Sequence, residues 1–588
     1  NDIVRPNGGA DTISTGGGND TVELIMPDGT GETYRQYFFN NTFDGGTGTD
    51  TLVVSGSYLD AGGSSAMSGD GPTRALLGFE NLQFTTQSGS NFNGVQVRLQ
   101  DITDANGIHQ VSGSSVADTF EMMPELGESY GPSVTIDISG LTFTNWNTNG
   151  QQDTIKVKGT NGIDTIIGND AGYNMLLGDQ GNDIIHGGNN GNWISGGAGD
   201  DDLYGGAGLD SLSGESGADD LYGTPNGGDY ADYFGSSSGV SIDLTSNINT
   251  GGDAQGDKLY DIPNVQGSMN ADTITGNALA NILAGMSGTD ILHGHAGNDT
   301  ISGGNDGDSL YGEGNNDRLY GDAGNDKLYG GSGNDDLTGG TGDDRFDGGA
   351  GADNLYGSPG DADIAYYTYS TAGVTVNLAT NVNTGGDAQG DHLYDIDRVY
   401  GSKHADTLTG NAHANRLYGS GGSDTLTGGA GADLLYGGTE SDSFVFDLGH
   451  SGQSINQYDT IKDYETGAVG AGDEIHFISA ALSIGGTDAA ATSTQASIDQ
   501  TTGIASFAAG SGTSLSDCLN DIARRLSAAG NTTGEMALFQ VNGTGDYYVF
   551  ISDGPGGNVT ANDTVIRLSG VTSITSIDLT GGDLTLLA

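Results

Sequence analysis

Residues 297–357 read GNDTISGGNDGDSLYGEGNNDRLYGDAGNDKLYGGSGNDDLTGGTGDDRFDGGAGADNLYG, and in this stretch an acidic position returns every nine residues. The unit has the form GGxGxDxUx, in which U is a large aliphatic or aromatic residue. A fixed period of this kind indicates a stacked repeat. Its glycines permit tight turns, and the x-U-x part fits a short strand. We therefore predict an all-β fold of parallel β-rolls, with two units per coil and coils about 4.8 Å apart.

The same frame recurs through most of the chain. Its polar positions form three runs and a few isolated copies. The longest run holds Asp272, Asn281, Asp290, Asp299, Asp308, Asp317, Asp326, Asp335, Asp344 and Asp353. The other runs hold Asn174, Asp183, Asn192, Asp201, Asp210 and Asp219, and Asp406, Asn415, Asp424, Asp433 and Asp442. Isolated copies lie at Asp11, Asp20, Asp50 and Asp164. The apolar residue two positions after each is predicted to fill the interior of a roll.

A longer repeat overlies the short one. The segment GVSIDLTSNINTGGDAQGDKLYDI at 239–262 returns as GVTVNLATNVNTGGDAQGDHLYDI at 373–396. Each copy holds an alternating apolar strand and an Asp/Gly-rich turn, so we predict a β insertion between rolls. The predicted organisation is an N-terminal β-rich region with sporadic units (1–160), roll block 1 (161–223), insertion 1 (224–271), roll block 2 (272–357), insertion 2 (358–405), roll block 3 (406–446) and a C-terminal cap and signal region (447–588).

The charge balance restricts the possible partners. The chain has 588 residues, with 78 acidic against 17 basic side chains and a formal net charge of −61. Phosphate backbones and anionic membrane surfaces would be repelled, so we expect no nucleic acid partner. No run of 18 apolar residues exists, and we expect no membrane insertion. The single cysteine, Cys518, excludes an intramolecular disulfide and a multi-cysteine metal site.

One apolar residue in nine makes a thin core, so another source of stability is needed. Stacked turns would bring aspartate carboxylates and backbone carbonyls into a six-oxygen cage, with one Asp from a unit and another from the unit 18 residues on. Such oxygen ligands favour Ca²⁺ over zinc or copper. We predict several Ca²⁺ ions, bound by Asp183, Asp201, Asp210, Asp219, Asp272, Asp290, Asp299, Asp308, Asp317, Asp326, Asp335, Asp344, Asp353, Asp406, Asp424, Asp433, Asp442 and Asp164. Some of these residues could instead cap turns, Asp164 above all, and sites with Asn in place of Asp are expected to be weaker or vacant.

These repeats resemble those of the RTX proteins of Gram-negative bacteria, which are exported by type I secretion. The resemblance covers about 161–446 strongly and is closest to the RTX-type surface-layer proteins. It implies passage through the secretion channel unfolded, calcium-driven folding outside the cell and an uncleaved C-terminal signal, for which the last 26 residues, DTVIRLSGVTSITSIDLTGGDLTLLA, are similar. Residues 442–467 are similar to the segment that caps the last roll, which implies further ligands at Asp459 and Asp463.

Few residues suggest other chemistry. The segment LSDCLNDIARRLSAAG has helical apolar spacing and ends at Gly530, so we predict one short C-terminal helix there, with Cys518 as a buried small residue. No HExxH motif occurs, and His293 and His295 form a lone HxH in a glycine turn. The string GSSSG around Ser237 precedes a strand and lacks the context of a nucleophile elbow. We predict that the protein is not an enzyme.

The sequence therefore favours a secreted calcium-binding structural protein of the bacterial cell surface, which folds and assembles with itself into a surface lattice on extracellular Ca²⁺. The alternative is the C-terminal folding and export part of a larger RTX adhesin or secreted enzyme, whose active region would precede residue 1. A further alternative gives residues 1–160 a role in binding cell-surface polysaccharide.

Overall fold

The computed structural model describes residues 154–446 continuously except for Asn226, together with shorter segments on both sides. Before residue 154 it describes the backbone of short strands and residues 135–139 and 141. After residue 446 it describes 459–464, 473–477, 483–484, 496–498, 504–507, 522, 535–540, 546–551, 564–569, 571, 574, 576–578 and 584–587. The chain divides into two compact units, 1–287 and 288–588, which are described separately.

The first unit consists of short strands. Those before the roll blocks are β1 (Asp2–Val4), β2 (Asp11–Ser14), β3 (Thr21–Ile25), β4 (Asn41–Asp44), β5 (Thr51–Ser55), β6 (Leu76–Leu77), β7 (Asn81–Thr85), β8 (Asn93–Arg98), β9 (Gln110–Ser112), β10 (Asp118–Met123), β11 (Thr135–Asp137) and β12 (Thr142–Thr144). Those that follow are β13 (Thr154–Lys158), β14 (Thr165–Ile167), β15 (Tyr173–Gln180), β16 (Ile184–Gly188), β17 (Asn192–Ala198), β18 (Asp202–Gly206), β19 (Ser211–Ser216), β20 (Asp220–Tyr222), β21 (Tyr230–Asp232), β22 (Ser241–Asp243), β23 (Lys258–Tyr260), β24 (Asn264–Gln266), β25 (Thr273–Thr275) and β26 (Ile282–Ser287). A 3₁₀ helix lies at Gly252–Ala254.

The second unit has the same construction. Its roll strands are β27 (Ile291–His293), β28 (Thr300–Asn305), β29 (Ser309–Gly314), β30 (Arg318–Ala323), β31 (Lys327–Ser332), β32 (Asp336–Thr341), β33 (Arg345–Ala350), β34 (Asn354–Tyr356), β35 (Ile364–Tyr366), β36 (Thr375–Asn377), β37 (His392–Tyr394), β38 (Arg398–Tyr400), β39 (Thr407–Thr409), β40 (Arg416–Gly421), β41 (Thr425–Thr427), β42 (Leu434–Thr439), β43 (Ser443–Phe446), β44 (Asp459–Ile461) and β45 (Glu474–Phe477). The C-terminal strands are β46 (Ser483–Ile484), β47 (Ala496–Ile498), β48 (Ile504–Phe507), β49 (Glu535–Gln540), β50 (Tyr547–Ile551), β51 (Thr564–Leu568), β52 (Ser576–Asp578) and β53 (Leu584–Leu587). The second 3₁₀ helix lies at Gly386–Ala388.

Successive strands of the roll alternate between two parallel sheets, as the nine-residue period predicts. In the first unit, one sheet contains the pairs β13–β15, β15–β17 and β17–β19, and the other contains β14–β16, β16–β18 and β18–β20. In the second unit, β28–β30–β32–β34 and β29–β31–β33–β35 repeat this arrangement. Partners such as Leu310 and Leu328 lie 18 residues apart, which is two units. The predicted β-roll is therefore confirmed.

The segments predicted as insertions form longer coils of the roll itself. In the first unit, β21 pairs in parallel with β19 and β24, and β23 pairs with β20. There β22 starts a new sheet by pairing with β25. In the second unit, β36 likewise starts a new sheet with β39, while β37 pairs with β34. Each duplicated segment thus exchanges one of the two sheets for a new one. The predicted domain boundaries themselves stay predictions.

The core is one residue wide at each level. Every apolar position of the three runs is buried to 1 % exposure or less: Leu176, Ile185, Ile194, Leu203, Leu212, Leu221, Ile274, Leu283, Leu292, Ile301, Leu310, Leu319, Leu328, Leu337, Phe346, Leu355, Leu408, Leu417, Leu426, Leu435 and Phe444. Except for Ser195, which is buried, the side chains on either side of them in each strand are half-buried or exposed. This pattern confirms the predicted thin interior.

Aromatic side chains stack along the outer face of the sheets. Tyr204, Tyr222 and Tyr260 have ring centroids 4.5 and 4.7 Å apart, which is the strand spacing itself. In the second unit the guanidinium of Arg345 lies 3.7 Å from the ring centroid of Tyr366 and 5.5 Å from that of Tyr329. These rows add contact area outside the narrow core.

Of the predicted C-terminal helix, only Ile522 lies within the described residues. It is fully buried and its backbone is helical. The described residues show no α-helix with assigned ends, so this helix, including Cys518, stays a prediction.

Candidate metal centre

Buried aspartates form hydrogen-bonded columns along the edges of the roll. The backbone N–H of Asp299 donates to Oδ1 of Asp317 at 2.8 Å, and that of Asp317 donates to Oδ1 of Asp335 at 2.8 Å. The N–H of Asp335 continues the column to Oδ1 of Asp353 at 2.9 Å. In the first unit, Asp183 donates to Asp201 at 2.7 Å in the same way. The 18-residue spacing predicted for ligand pairs therefore places these carboxylates directly above one another.

The second carboxylate oxygen of most column members has no hydrogen-bond donor. The residues whose Oδ2 is buried and unpartnered include Asp183, Asp201, Asp210, Asp219, Asp308, Asp317, Asp326, Asp335, Asp344, Asp353 and Asp424. A buried anionic oxygen without a donor is costly unless a positive charge faces it. The repetition of this feature in both units indicates a site built for cations.

In several of these turns, such as those of Asp183, Asp317 and Asp335, the unpartnered oxygen and a backbone carbonyl border the same small space beside a glycine. A Cβ carbon built on Gly330 would lie 2.5 Å from Oδ2 of Asp335 and 2.6 Å from the carbonyl oxygen of Gly348 in the next coil. The residue after this glycine, Gly331, has φ +107°, in the left-handed region. Glu313 occupies the matching position of an earlier turn with φ +73°. Two acceptor oxygens therefore converge on a space that no side chain can occupy.

Burial raises the pKa of these carboxyls, and repulsion from the neighbouring carboxylates of the column adds to it. The pKa of Asp219, Asp353 and Asp424 rises to about 8. That of Asp308 and Asp317 rises to about 7, although the backbone N–H donated to each Oδ1 opposes the rise. These carboxyls are thus hard to ionise in the absence of a bound cation.

These residues fit a calcium ion. Among the described residues, no three His, Cys, Asp or Glu side chains form a group that could hold a metal ion alone. Backbone oxygens, such as the carbonyl of Gly348 near Oδ2 of Asp335, would supply further ligands. Calcium accepts six to eight such oxygen ligands in flexible geometry, whereas zinc prefers nitrogen and sulfur. The bound ion would supply the positive charge that the column lacks.

The turns and their carboxylate columns define the class of this chain as a β-roll repeat protein with a calcium-binding frame. The family model of the RTX calcium-binding nonapeptide repeat matches residues 1–23, 158–194, 195–224, 266–301, 275–310, 293–328, 302–337, 329–363, 394–426 and 409–444. The chain carries the RTX calcium-binding repeat in multiple copies, as the sequence predicted. The curated proteins include no match to it.

The structure places all but one of the predicted ligands in buried positions on these columns. Asp459 is buried beside Asp433, whose N–H it accepts at 3.0 Å. The exception is Asp463, which is half-buried and accepts the backbone N–H groups of Gly437 and Gly438 at 2.9 and 3.0 Å. The ligand role of each residue stays a prediction.

Three predicted ligands have both carboxylate oxygens occupied by donors of their own turn. The N–H of Thr160 donates to Oδ2 of Asp164 at 2.5 Å, and its hydroxyl also contacts this carboxylate. Ser268 and Ser402 do the same for Asp272 and Asp406. This arrangement favours the turn-capping alternative for these three residues.

Sequence reasoning missed five buried aspartates that extend the columns: Asp229, Asp257, Asp363, Asp391 and Asp473. They accept the N–H groups of Asp210, Asp219, Asp344, Asp353 and Asp442, respectively, at 2.8 to 3.0 Å. Their spacings of 19, 38 and 31 residues break the nine-residue count. The local signal was present, since each stands two positions before a small or aliphatic residue of a strand.

The structure describes the histidines and the serine that were considered for catalysis. The Nδ1 atoms of His293 and His295 lie 3.0 and 2.9 Å from the two carboxylate oxygens of Glu313. Ser237 is exposed in a bend before β22, whereas the serine of a nucleophile elbow follows a strand and precedes a helix. Among the described residues, no helix is long and apolar enough to cross a membrane.

Replacing Gly330 by Ala is expected to remove a calcium site, because the added methyl group would occupy the space between Asp335 and the next coil. We expect a loss of about 2 kcal/mol or more in unfolding free energy. Calorimetric titration and thermal melting in calcium measure both effects. Gly314→Ala is the matched control, since its Cβ would meet nothing closer than 3.6 Å. Equal effects of the two substitutions would contradict the assignment of this space to a calcium ion.

Proposed function

We propose that this RTX protein is a secreted structural protein of the bacterial cell surface, which folds on extracellular calcium and then assembles with itself. The observation that carries the proposal is the repeated buried Oδ2 atom without a donor, as in Asp183, Asp317 and Asp424. Extracellular calcium modules bind with Kd near 10⁻⁴ to 10⁻³ M. Such sites stay empty at submicromolar calcium, so folding and calcium binding would form one equilibrium that is completed outside the cell.

The charge of the chain would make self-assembly depend on cations. Copies with a net charge of −61 repel one another unless cations lie between them. Acidic side chains such as Asp200, Asp343 and Glu440 lie on the exposed turns, next to buried column members. Calcium would therefore act twice, inside the roll to fold it and between copies to neutralise facing carboxylates.

The assembly proposal is tested by electron microscopy and light scattering of the purified protein at increasing concentration. We expect ordered sheets or oligomers in 10 mM CaCl₂ and dispersed particles in calcium just sufficient to fold the roll. Magnesium chloride at the same ionic strength, added to the folded protein, is the control for simple screening. Discrete monomers at every protein concentration in 10 mM CaCl₂ would contradict self-assembly and leave calcium-dependent folding intact.

The secretion signal in the last residues, the polysaccharide partner and the absence of enzymatic activity stay predictions. The exported fate is supported by the family, since RTX proteins typically leave the cell by type I secretion.

A further inference from the structure

Two aspartate columns end at a carboxylate that is fully hydrogen-bonded. Asp257 accepts the N–H of Asp219 on Oδ1 at 3.0 Å and the hydroxyl of Tyr233 on Oδ2 at 3.0 Å. In the second unit, Asp391 accepts the N–H of Asp353 at 2.9 Å and the hydroxyl of Tyr367 at 2.9 Å. Both tyrosines are buried to 2 % exposure. Oδ2 therefore has no donor in Asp219 and Asp353 but accepts a tyrosine hydroxyl in Asp257 and Asp391, the next aspartates of the two columns.

Two further columns begin at a carboxylate with the same property. In Asp272, Oδ1 accepts the N–H of Val240 at 2.7 Å and Oδ2 accepts that of Ser268 at 2.6 Å. The hydroxyl of Ser268 also donates to Oδ1 at 2.9 Å. Asp406 has matching bonds from Val374 and Ser402. Ser268 and Ser402 stand four residues before their aspartates. In turns with an unpartnered Oδ2, this position holds a residue in the left-handed region, such as Gly331 before Asp335. The N–H of each serine points at the carboxylate instead.

We propose that these closed carboxylates are ion-free stops, in which the hydroxyls of Tyr233 and Tyr367 and the turn donors of Ser268 and Ser402 take the place of the cation. The inference rests on the proposed calcium binding of the other turns. A cation beside Asp257 would have to displace a buried tyrosine hydroxyl and leave it without an acceptor, which is unfavourable. At Asp219 and Asp353 the cation meets an oxygen that has no donor to lose.

The stops lie where each duplicated segment exchanges one sheet for another. Asp257 precedes β23, the last strand of its sheet in the first unit, and Asp272 precedes β25 of the new sheet. In the second unit, Asp391 and Asp406 stand in the same relation to β37 and β39. The ends of the columns are thus satisfied by protein groups alone. Within each unit, calcium ions would therefore bind in separate columns, and these coils would keep the columns apart.

The test compares neighbouring members of one column in the full-length chain. Asp219→Asn and Asp257→Asn are purified in 10 mM CaCl₂, and bound calcium is counted by equilibrium dialysis with ⁴⁵Ca and by native mass spectrometry. We expect Asp219→Asn to lose at least one ion per chain, and Asp257→Asn to keep the wild-type count with a lower Tm. The pair Asp353→Asn and Asp391→Asn repeats the comparison in the second unit.

Tyr233→Phe and Tyr367→Phe keep every carboxylate and give the same readout if an aspartate variant fails to fold. An unchanged or raised ion count with a lower Tm supports the stops, because only a hydrogen-bond donor is lost. A reduced count in either tyrosine variant, or an equal loss in Asp219→Asn and Asp257→Asn, would overturn the inference. Failure of the wild-type chain to bind calcium would instead overturn the proposed function.

Discussion

Removal of calcium at pH 8 is expected to abolish most of the β-sheet structure of the roll in both units. At ~10 mM Ca²⁺ and a Kd of ~10⁻⁴ to 10⁻³ M, each occupied site stabilises the fold by about 1.4 to 2.7 kcal/mol. A handful of sites therefore equals the ~5–15 kcal/mol net stability of a typical domain. The core cannot compensate, because it buries one apolar side chain per nine residues. Without the ions, stacked carboxylates such as Asp317 and Asp335 would also repel one another.

The measurement is far-UV circular dichroism and thermal melting of one preparation in 10 mM CaCl₂ and in excess EDTA. We expect the sheet signal and the cooperative transition to disappear in EDTA and to return when calcium is restored. Magnesium is the matched control, because it demands a smaller octahedral site and keeps its water ligands. A sheet signal and a melting point unchanged by EDTA would show that the unpartnered oxygens are tolerated without ions, and would contradict the calcium-dependent fold.

The roll could be predicted from the sequence because its period, its strands and its core depend on the same residues. Leu319 is buried since it stands two positions after Asp317, and Asp317 lies above Asp299 since two units make one coil. In each relation the two residues are near neighbours in the sequence or are separated by a multiple of nine residues. Once the turn is known, the register of every other level follows.

The path of the column through the duplicated segments could not be predicted in the same way. Asp219 pairs with Asp257 across 38 residues, and Asp353 pairs with Asp391 across the same distance. This spacing depends on how the loop between them folds back, which the nine-residue count does not determine. The local triplet of Asp257, one residue and Leu259 is a usable signal only when the fixed spacing is relaxed.

The difference between open and closed carboxylates also depends on backbone direction. Asp308 and Asp272 look alike in the sequence, each followed two positions later by an aliphatic residue. Before Asp308, Gly304 has φ +108°, and Oδ2 is left without a donor. Before Asp272, Ser268 instead directs its N–H to Oδ2. A serine at this position does not by itself distinguish the two kinds of turn, because Ser420 precedes Asp424 in the same way, has φ +81° and leaves Oδ2 of Asp424 without a donor. The backbone direction at this residue therefore decides which kind of turn forms.

In the calcium-free protein, acid is expected to restore part of the structure that calcium removal abolishes. Burial, followed by repulsion within the columns, raises the folded-state pKa of Asp219, Asp353 and Asp424 to about 8, well above that of an unfolded aspartate near 3.9. A raised pKa means that the folded state binds more protons. Its stabilising contribution is therefore complete below about pH 4 and is lost progressively as the pH rises from about 4 to about 8.

The pH dependence of stability reverses its sign when calcium is present, because a ligand carboxylate must lose its proton before it binds the ion. We therefore expect the calcium-free protein to melt higher at pH 5.5 than at pH 8, and its apparent calcium affinity to rise over the same interval. Chelator-treated protein, followed by circular dichroism at pH 5.5, 6.5, 7.5 and 8.5 in constant high salt, separates this effect from the screening of net charge. The double variant Asp317→Asn, Asp335→Asn carries two groups that stay neutral at every pH, so the pH dependence of its calcium-free stability should be smaller. An identical pH dependence in this variant and the wild type would place the titration outside the columns.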